Sequence, residues 1–357
     1  MGGTSLSDIS GEKSEESRYF SYDYWILKLD SQGAIEWQKT YGGDDQDVLY
    51  IIKQTTDLGY ILAGNSMSGA NYDKTENCRG GEDYWIMKLD SSGEILWQKT
   101  FGGSELDNVT DIQQNYEDGF YVSGFSLSGI SGDKTSSLFG TADFWILKLD
   151  SLGNIIWQKT IEGDQGDYFN TLYVNPDHSV IVGGQSDSGI SGDKTENSRG
   201  SSDIWMLKLN EFGAIIWQKT IGGNQADGVK SIKKTSQNEY LLGGVSRSSI
   251  SGEKSENCRG ESDYWFIKLN DENLSVFDSH FQNNLSISPN PNNGIFTISD
   301  LETAGKLEIY DVLGKKMHEQ SINNNESINL ETASKGIYFA KIIAGNNVYK
   351  TEKIIVE

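Results

Sequence analysis

Across 357 residues there are three prolines, two cysteines and three histidines, and 30 basic side chains stand against 52 acidic ones. Each shortage excludes something. The formal charge of −22 argues against nucleic acid, whose phosphates need a basic footprint, and against an anionic membrane surface. His178, His280 and His318 share no motif, which leaves a histidine metal site or triad without support. Cys78 and Cys258 hold one position in two copies of a repeated segment, where Leu138 and Ser198 stand in other copies. A fold that needed a disulfide there would not replace it so freely, so two exposed free thiols are expected. No apolar run approaches the ~18 residues of a membrane span, and no signal peptide opens the chain. Instead Gly2-Gly3-Thr4-Ser5 and Ile9-Ser10-Gly11-Glu12-Lys13 match Gly243-Gly244-Val245-Ser246 and Ile250-Ser251-Gly252-Glu253-Lys254. Met1 therefore falls inside a repeat, and the natural N-terminus is expected upstream.

What the chain does have is glycine, 40 residues, and tryptophan at a fixed step. Trp25, Trp85, Trp145, Trp205 and Trp265 are sixty residues apart, and Trp37, Trp97, Trp157 and Trp217 keep the same step. A unit of that length holds about four strands and cannot bury both faces of its own sheet, so copies must stack. In the copy from Gly43 to Gly103, strands are predicted at Val48 to Thr55, Tyr60 to Ser66, Tyr84 to Leu89 and Ile95 to Phe101. Asp57-Leu58-Gly59 and Asp90-Ser91-Ser92-Gly93 read as tight turns. Four antiparallel strands per copy read as β-propeller blades. Residues 1–43 supply three strands of one blade, three complete blades follow to about Gly223, and a last one runs to about Phe281. Its fourth strand is reduced to Leu274-Ser275-Val276-Phe277-Asp278, with Phe277 in the tryptophan's place.

This region resembles the sixty-residue propeller-type repeats of secreted Bacteroidetes proteins, through Asp83-Tyr84-Trp85-Ile86, Lys88-Leu89-Asp90, Gly93, Trp97-Gln98-Lys99-Thr100 and their copies. The resemblance implies architecture and no activity.

From Leu285 the period vanishes. Short alternating strands at ten-residue spacing follow the turn-rich Ser288-Pro289-Asn290-Pro291-Asn292-Asn293-Gly294, which reads as a small β-sandwich. The same residues resemble the C-terminal sorting domain of the type IX (Por) secretion system. Pro289, Asn290, Pro291 and Gly294, then Gly314 in Asp311-Val312-Leu313-Gly314-Lys315, then Gly336 and Tyr338, and finally Lys353 in the terminal strand carry the match. It implies handling by that machinery and an extracellular or outer-membrane-surface location. The expected fold is therefore all-β: a propeller of about five four-stranded blades over 1–281 and an Ig-like sandwich over 282–357.

In a propeller the short turns share one face, and the long loops share the other with the Gly-Gly-x-x-x-Asp connections. The loop-rich rim is the expected binding surface, marked by Asp47, Asp107, Asp167, Asp227, Asp73, Lys74, Asp193 and Lys194. These charges also fit ion pairs that merely pin the loops. Calcium on Asp44, Asp45 and Asp47 is a further reading, although no dense Asp-x-Asp-x-Asp-Gly loop occurs; no other cofactor is expected. The tryptophans fit packing between blades better than sugar stacking. The function expected is a non-catalytic binding or adhesion role toward a glycan or a protein. An extracellular glycoside hydrolase is the alternative, but near-identical blades single out no pair of acids in one pocket. A structural surface spacer is the third reading.

Overall fold

The computed structural model describes residues 1–236, 239–270, 286–299, 305–311, 315–330, 334–344 and 347–356. The chain divides into two compact units, Met1–Val276 and Phe277–Glu357. The expected boundary at 281/282, the reduced strand at 274–278 and Phe277 lie outside the described residues, as does Gly314.

The first unit is a row of five antiparallel sheets. Sheet I holds β1 (Gly2–Ser5), β2 (Asp23–Leu29) and β3 (Ile35–Tyr41); sheet II holds β4 (Asp47–Gln54), β5 (Tyr60–Ser66), β6 (Asp83–Leu89) and β7 (Ile95–Phe101). Sheet III holds β8 (Asp107–Gln114), β9 (Phe120–Ser126), β10 (Asp143–Leu149) and β11 (Ile155–Ile161). Sheet IV holds β12 (Asp167–Val174), β13 (Val180–Ser186), β14 (Asp203–Leu209) and β15 (Ile215–Ile221), and sheet V holds β16 (Asp227–Ser236), β17 (Glu239–Ser246) and β18 (Asp263–Asn270). One 3-10 turn, Arg18–Phe20, is the single helical element among the described residues. The predicted strands of sheet II fall within a residue or two of those observed.

The indoles join the sheets. Trp85, Trp145 and Trp205 are fully buried, each against an aromatic ring of the preceding sheet: Tyr24, Tyr84 and Phe144, at centroid distances of 4.8, 5.1 and 5.1 Å. Each also donates Nε1–H to Gln98, Gln158 or Gln218 on the outermost strand. The second set works at the outer edge. Trp37, Trp97 and Trp157 donate to the carbonyls of Ser91, Ser151 and Glu211 in the hairpin turn of the next sheet. The turn glycine there has positive φ (Gly93, +87°) and lies flat on the indole, 3.1 Å from Trp37 to where a Cβ would stand. Burial of large aromatic surface and these donor bonds together fix the stacking distance.

The strands β4, β8, β12 and β16 form the inner edge of the row. Lys53, Asp111, Asn170 and Lys230, one from each, line a shared cavity of about 290 Å³. Hydrogen bonds cross between sheets here: Leu172 N–H donates to Asp111 and Val174 N–H to Gln113.

The second unit closes two sheets on one apolar core. The strands β19 (Ser286–Ser288), β20 (Ile295–Ser299) and β23 (Glu326–Asn329) form one sheet; β21 (Gly305–Asp311), β22 (Lys316–Ile322), β24 (Gly336–Ala344) and β25 (Asn347–Val356) form the other. Phe296, Ile298 and Ile328 from the first meet Leu307, Ile309, Ile342 and Ile354 from the second.

Candidate functional site

Strand direction places the loop between β5 and β6 and its copies (67–82, 127–142, 187–202, 247–262) on one face of the row with the Gly-Gly connections, as the sequence implies. The short turns gather at the other, where Lys88 pairs with Asp57 at 2.8 Å. Most of the acids and lysines predicted to mark the loop-rich surface are not on it. Asp47, Asp107, Asp167, Asp227, Lys74 and Lys194 are buried, and only Asp73 and Asp193 remain partly exposed. Their role is internal bracing. Asp47 accepts from Gly43 N–H (2.7 Å) and Ser68 Oγ–H (2.9 Å), and Asp107 and Asp227 repeat the pattern with Gly103 and Ser128, and with Gly223 and Ser248. Lys74 donates to Thr100 Oγ1 and the Glu76 carbonyl, and Lys194 to Ser186, Ser188 and Ser198. The Lys194 ammonium also stands 5.5 Å over the Trp205 ring, a cation–π contact in a desolvated place.

Asp73 clasps neighbouring sheets together. It pairs with Arg18 of sheet I at 2.8 Å, and the copies repeat this as Arg79–Asp133 (3.2 Å) and Arg199–Glu253 (2.5 Å). Where Phe139 replaces the arginine, Asp193 turns to Lys159 at 3.8 Å. Ion pairs thus hold Asp73 and Asp193, while the buried members of the set are held by hydrogen bonds.

A second set of repeated acids, Asp23, Asp83, Asp143 and Asp203, is also fully buried. In both sets one carboxylate oxygen is sealed off without a hydrogen-bond partner. Burial pushes Asp23 and Asp143 up to about 7 and Asp47, Asp83 and Asp167 to about 6. Burial lowers Lys194 to about 8. The sign of the stability effect follows from proton counting. Between the ordinary carboxylate range near pH 4 and about pH 7 the folded chain holds more protons than the unfolded one, so stability falls as pH rises. Between about pH 8 and the ordinary lysine range near pH 10 the folded state holds fewer through Lys194, which raises stability there. The thermal midpoint of the repeat unit is therefore expected to pass through a minimum near pH 7–8 and to rise on acidification to pH 5. A midpoint that climbs steadily from pH 5 to 7 would contradict this.

For calcium, Asp44 and Asp45 are exposed while Asp47 is buried and engaged with its own turn. Among the described residues no three acidic, histidine or cysteine side chains converge as metal ligands. Cys78 and Cys258 are free, and half-buried rather than exposed; burial raises the Cys78 thiol.

Sequence reasoning missed the feature that does mark the loop surface. Ile9, Ile130, Ile190 and Ile250, in the repeated Ile-Ser-Gly-Asp/Glu-Lys run, are between 59% and 72% exposed. Their loops are rigidly held. Asn197 and Asn257 accept the amide N–H of Ile190 and Ile250, and the neighbouring Ser131, Ser191 and Ser251 hydroxyls accept N–H groups of the Gly-Gly connections. The signal was available: a branched apolar residue recurs in four of the five copies, with Ala70 in the other, in an otherwise polar loop.

In the second unit, motifs more than sixty residues apart meet. Asn290 Nδ2–H donates to the Lys353 carbonyl (2.6 Å) and its Oδ1 accepts from Ile355 N–H (2.9 Å). Asn292 N–H bonds the Ile355 carbonyl, its side chain accepts from Gly294 N–H, and Gly294 has φ +94°. The Gly294 carbonyl in turn accepts from Leu330 N–H. Tyr338 is buried and donates to the Ser334 carbonyl at 2.7 Å. Pro289, Pro291 and Lys353 stay exposed. The asparagines thus lace the Pro-Asn-Pro segment to the final strand. Residues 286–357 match the family described as the secretion system C-terminal sorting domain. These residues are a sorting domain of the type IX system. The sorting domain implies export to the extracellular space or the outer-membrane surface, and handling by the type IX machinery. Among the described residues no helix is long and apolar enough to cross a membrane.

No curated protein matches the chain. Among solved structures it is similar to PorZ, a surface component of the type IX secretion system of Porphyromonas gingivalis, at 10% identity and a TM-score of 0.25, over 94% of this chain and 50% of that one. It is also similar to the extracellular domain of BT4673 from B. thetaiotaomicron, at 13% identity and a TM-score of 0.30, over 94% and 56%. The chain spans about half the length of either.

Proposed function

We propose that the repeat unit is an arc of a β-propeller, followed by an Ig-like sorting domain, and that this exported protein binds protein partners through its loop-rich face without catalysis. The inner strands that line a common cavity support the propeller reading. The observation that carries the binding reading is the exposure of Ile9, Ile130, Ile190 and Ile250 on clamped loops. Exposed apolar side chains held rigid lose little entropy on contact, and repeated weak sites add through avidity. Branched aliphatic tips favour an apolar protein surface, and the repeated indoles Trp85, Trp145 and Trp205, on which a sugar would have to stack, are sealed between sheets. The perturbed acids lie beneath the loops and recur at each junction, which suits bracing better than a single catalytic pair.

The full chain, applied to arrays of extracellular proteins and of glycans with and without calcium, is expected to retain proteins. The triple variant I130D/I190D/I250D should keep its circular dichroism spectrum and lose at least about ten-fold in affinity. Retention on glycans alone, retention of nothing, or undiminished binding by the triple variant would each overturn the proposal.

A further inference from the structure

Two copies of the repeat depart from the others, and the departures meet at one place. Between the clasp arginine and the buried aspartate, sheet I carries one residue more than its neighbours. Arg18 N–H reaches Asp23 five positions on, whereas Arg79, Arg199 and Arg259 reach Asp83, Asp203 and Asp263 four positions on. Tyr19 and Phe20 fill the longer segment, which in the other copies begins with Gly80, Gly140, Gly200 or Gly260. At the internal junctions those glycines are closely covered. A Cβ would stand 2.5 Å from the Gly103 carbonyl oxygen at Gly80, 2.3 Å from that of Gln165 at Gly140 and 2.0 Å from that of Gln225 at Gly200. The extra residue instead carries the chain through the 3-10 turn Arg18–Phe20, with Tyr19 at φ +50° and Phe20 at φ +59°. Their exposures are 68% and 82%.

The loop of sheet II departs at its own glycine position. Gly11, Gly132, Gly192 and Gly252 take φ of +54° or +55°, and Tyr72 stands in that place at φ +47°, 61% exposed. In the same loop Ala70 replaces the exposed isoleucine. Three bulky aromatics thus hold backbone that glycine adopts freely, and strain of that kind gathers at binding sites. They line one cavity of about 510 Å³ at the junction of sheets I and II, together with Asp8, Glu16 and Arg18. The Arg18 guanidinium is already engaged, with Asp73 at 2.8 Å and with the carbonyls of Glu16 and Thr40. Asp8 and Glu16 are exposed. Ring faces beside carboxylates, in a chain of charge −22, complement a cation and repel an anion.

We propose that this cavity receives a basic side chain of a partner protein, its guanidinium or ammonium group lying against Tyr19, Phe20 and Tyr72 with Glu16 beside it. The site shares the loop-rich face with the isoleucines and rests on none of them.

An NMR titration of the full chain with a capped Gly-Arg-Gly peptide, and with the same peptide carrying neutral citrulline in place of arginine, tests this. At about 150 mM salt the diffuse field is screened within ~8 Å, and the arginine peptide is expected to bind at least about ten-fold tighter than its isostere. The variant Y19G/F20G/Y72G keeps the net charge and supplies glycine where positive φ is required. It should hold or raise the thermal midpoint and lose at least about ten-fold in affinity for the arginine peptide. E16Q, at an exposed position, should fold as the parent does and bind more weakly. I130D/I190D/I250D should bind the peptide like the parent, which separates a failure here from a failure of the isoleucine face. No binding of the arginine peptide, equal binding of the two peptides, or undiminished affinity in the glycine variant would each overturn the proposal. If the glycine variant folds poorly, unchanged affinity in E16Q overturns it. Uptake of neutral oligosaccharides in place of the peptide would overturn it in favour of a sugar site.

Discussion

Replacing Trp145 with alanine is expected to destabilise the repeat unit by about 3–5 kcal/mol. Its indole is fully buried between sheets II and III, 5.1 Å from the Tyr84 ring, and its Nε1–H satisfies Gln158. Truncation opens a cavity the two stiff sheets cannot close, and it leaves the Gln158 side-chain oxygen only the long bond from Thr135 N–H at 3.4 Å. Gln158 also donates to the Asp133 carbonyl, which ties down the long loop, so the damage should spread to the loop-rich face. Chemical denaturation of W145A should show the full loss, and W25A a smaller one, because Trp25 is only partly buried. Equal losses at the two positions would mean that the indoles do not act as wedges between sheets.

Gly124 to alanine is the second large effect, about 3 kcal/mol from overpacking. A Cβ there would overlap the Asn108 carbonyl oxygen and the Tyr84 hydroxyl. The carbonyl belongs to β8 of the same sheet, which bulges between Val109 and Asp111 opposite this glycine, and backbone held in a ladder cannot step aside. The bulge recurs in β4, β12 and β16, facing Gly64, Gly184 and Gly244. Gly3→Ala supplies the internal control: nothing lies within 4 Å of its added methyl, so G3A should match the parent in stability. If G124A is equally harmless, the close approach that this glycine permits is not needed.

Much of this was legible beforehand for a physical reason. A sixty-residue step in every tryptophan is a statement about identical environments, and identical environments arise only when equal sheets stack. Turn chemistry was equally local: Asp90 accepts N–H groups from Ser92 and Glu94, and Gly93 takes the positive φ, as Asp-Ser-Ser-Gly promised. The motifs of the sorting domain were readable one at a time, yet nothing in them said that Asn290 would hold the strand carrying Lys353.

The loop-rich face is where residue type misled. Aspartate and lysine in a polar loop read as surface, whereas folding drew Asp47, Lys74 and their copies inward, because each loop must satisfy backbone donors and carbonyls that the sheets leave open. The isoleucines were left outside in exchange.

By itself, then, the order of residues determined the period, the four-stranded unit, the turns and the export module, since each depends on neighbours close in the chain or on a strict repeat. Tertiary structure alone decided which repeated charges are buried, which sheets clasp through Arg18–Asp73 and its copies, and that Ile130, Ile190 and Ile250 are left facing outward. Those outcomes depend on which side of a sheet meets another sheet, and that is a property of the assembled row rather than of any one segment.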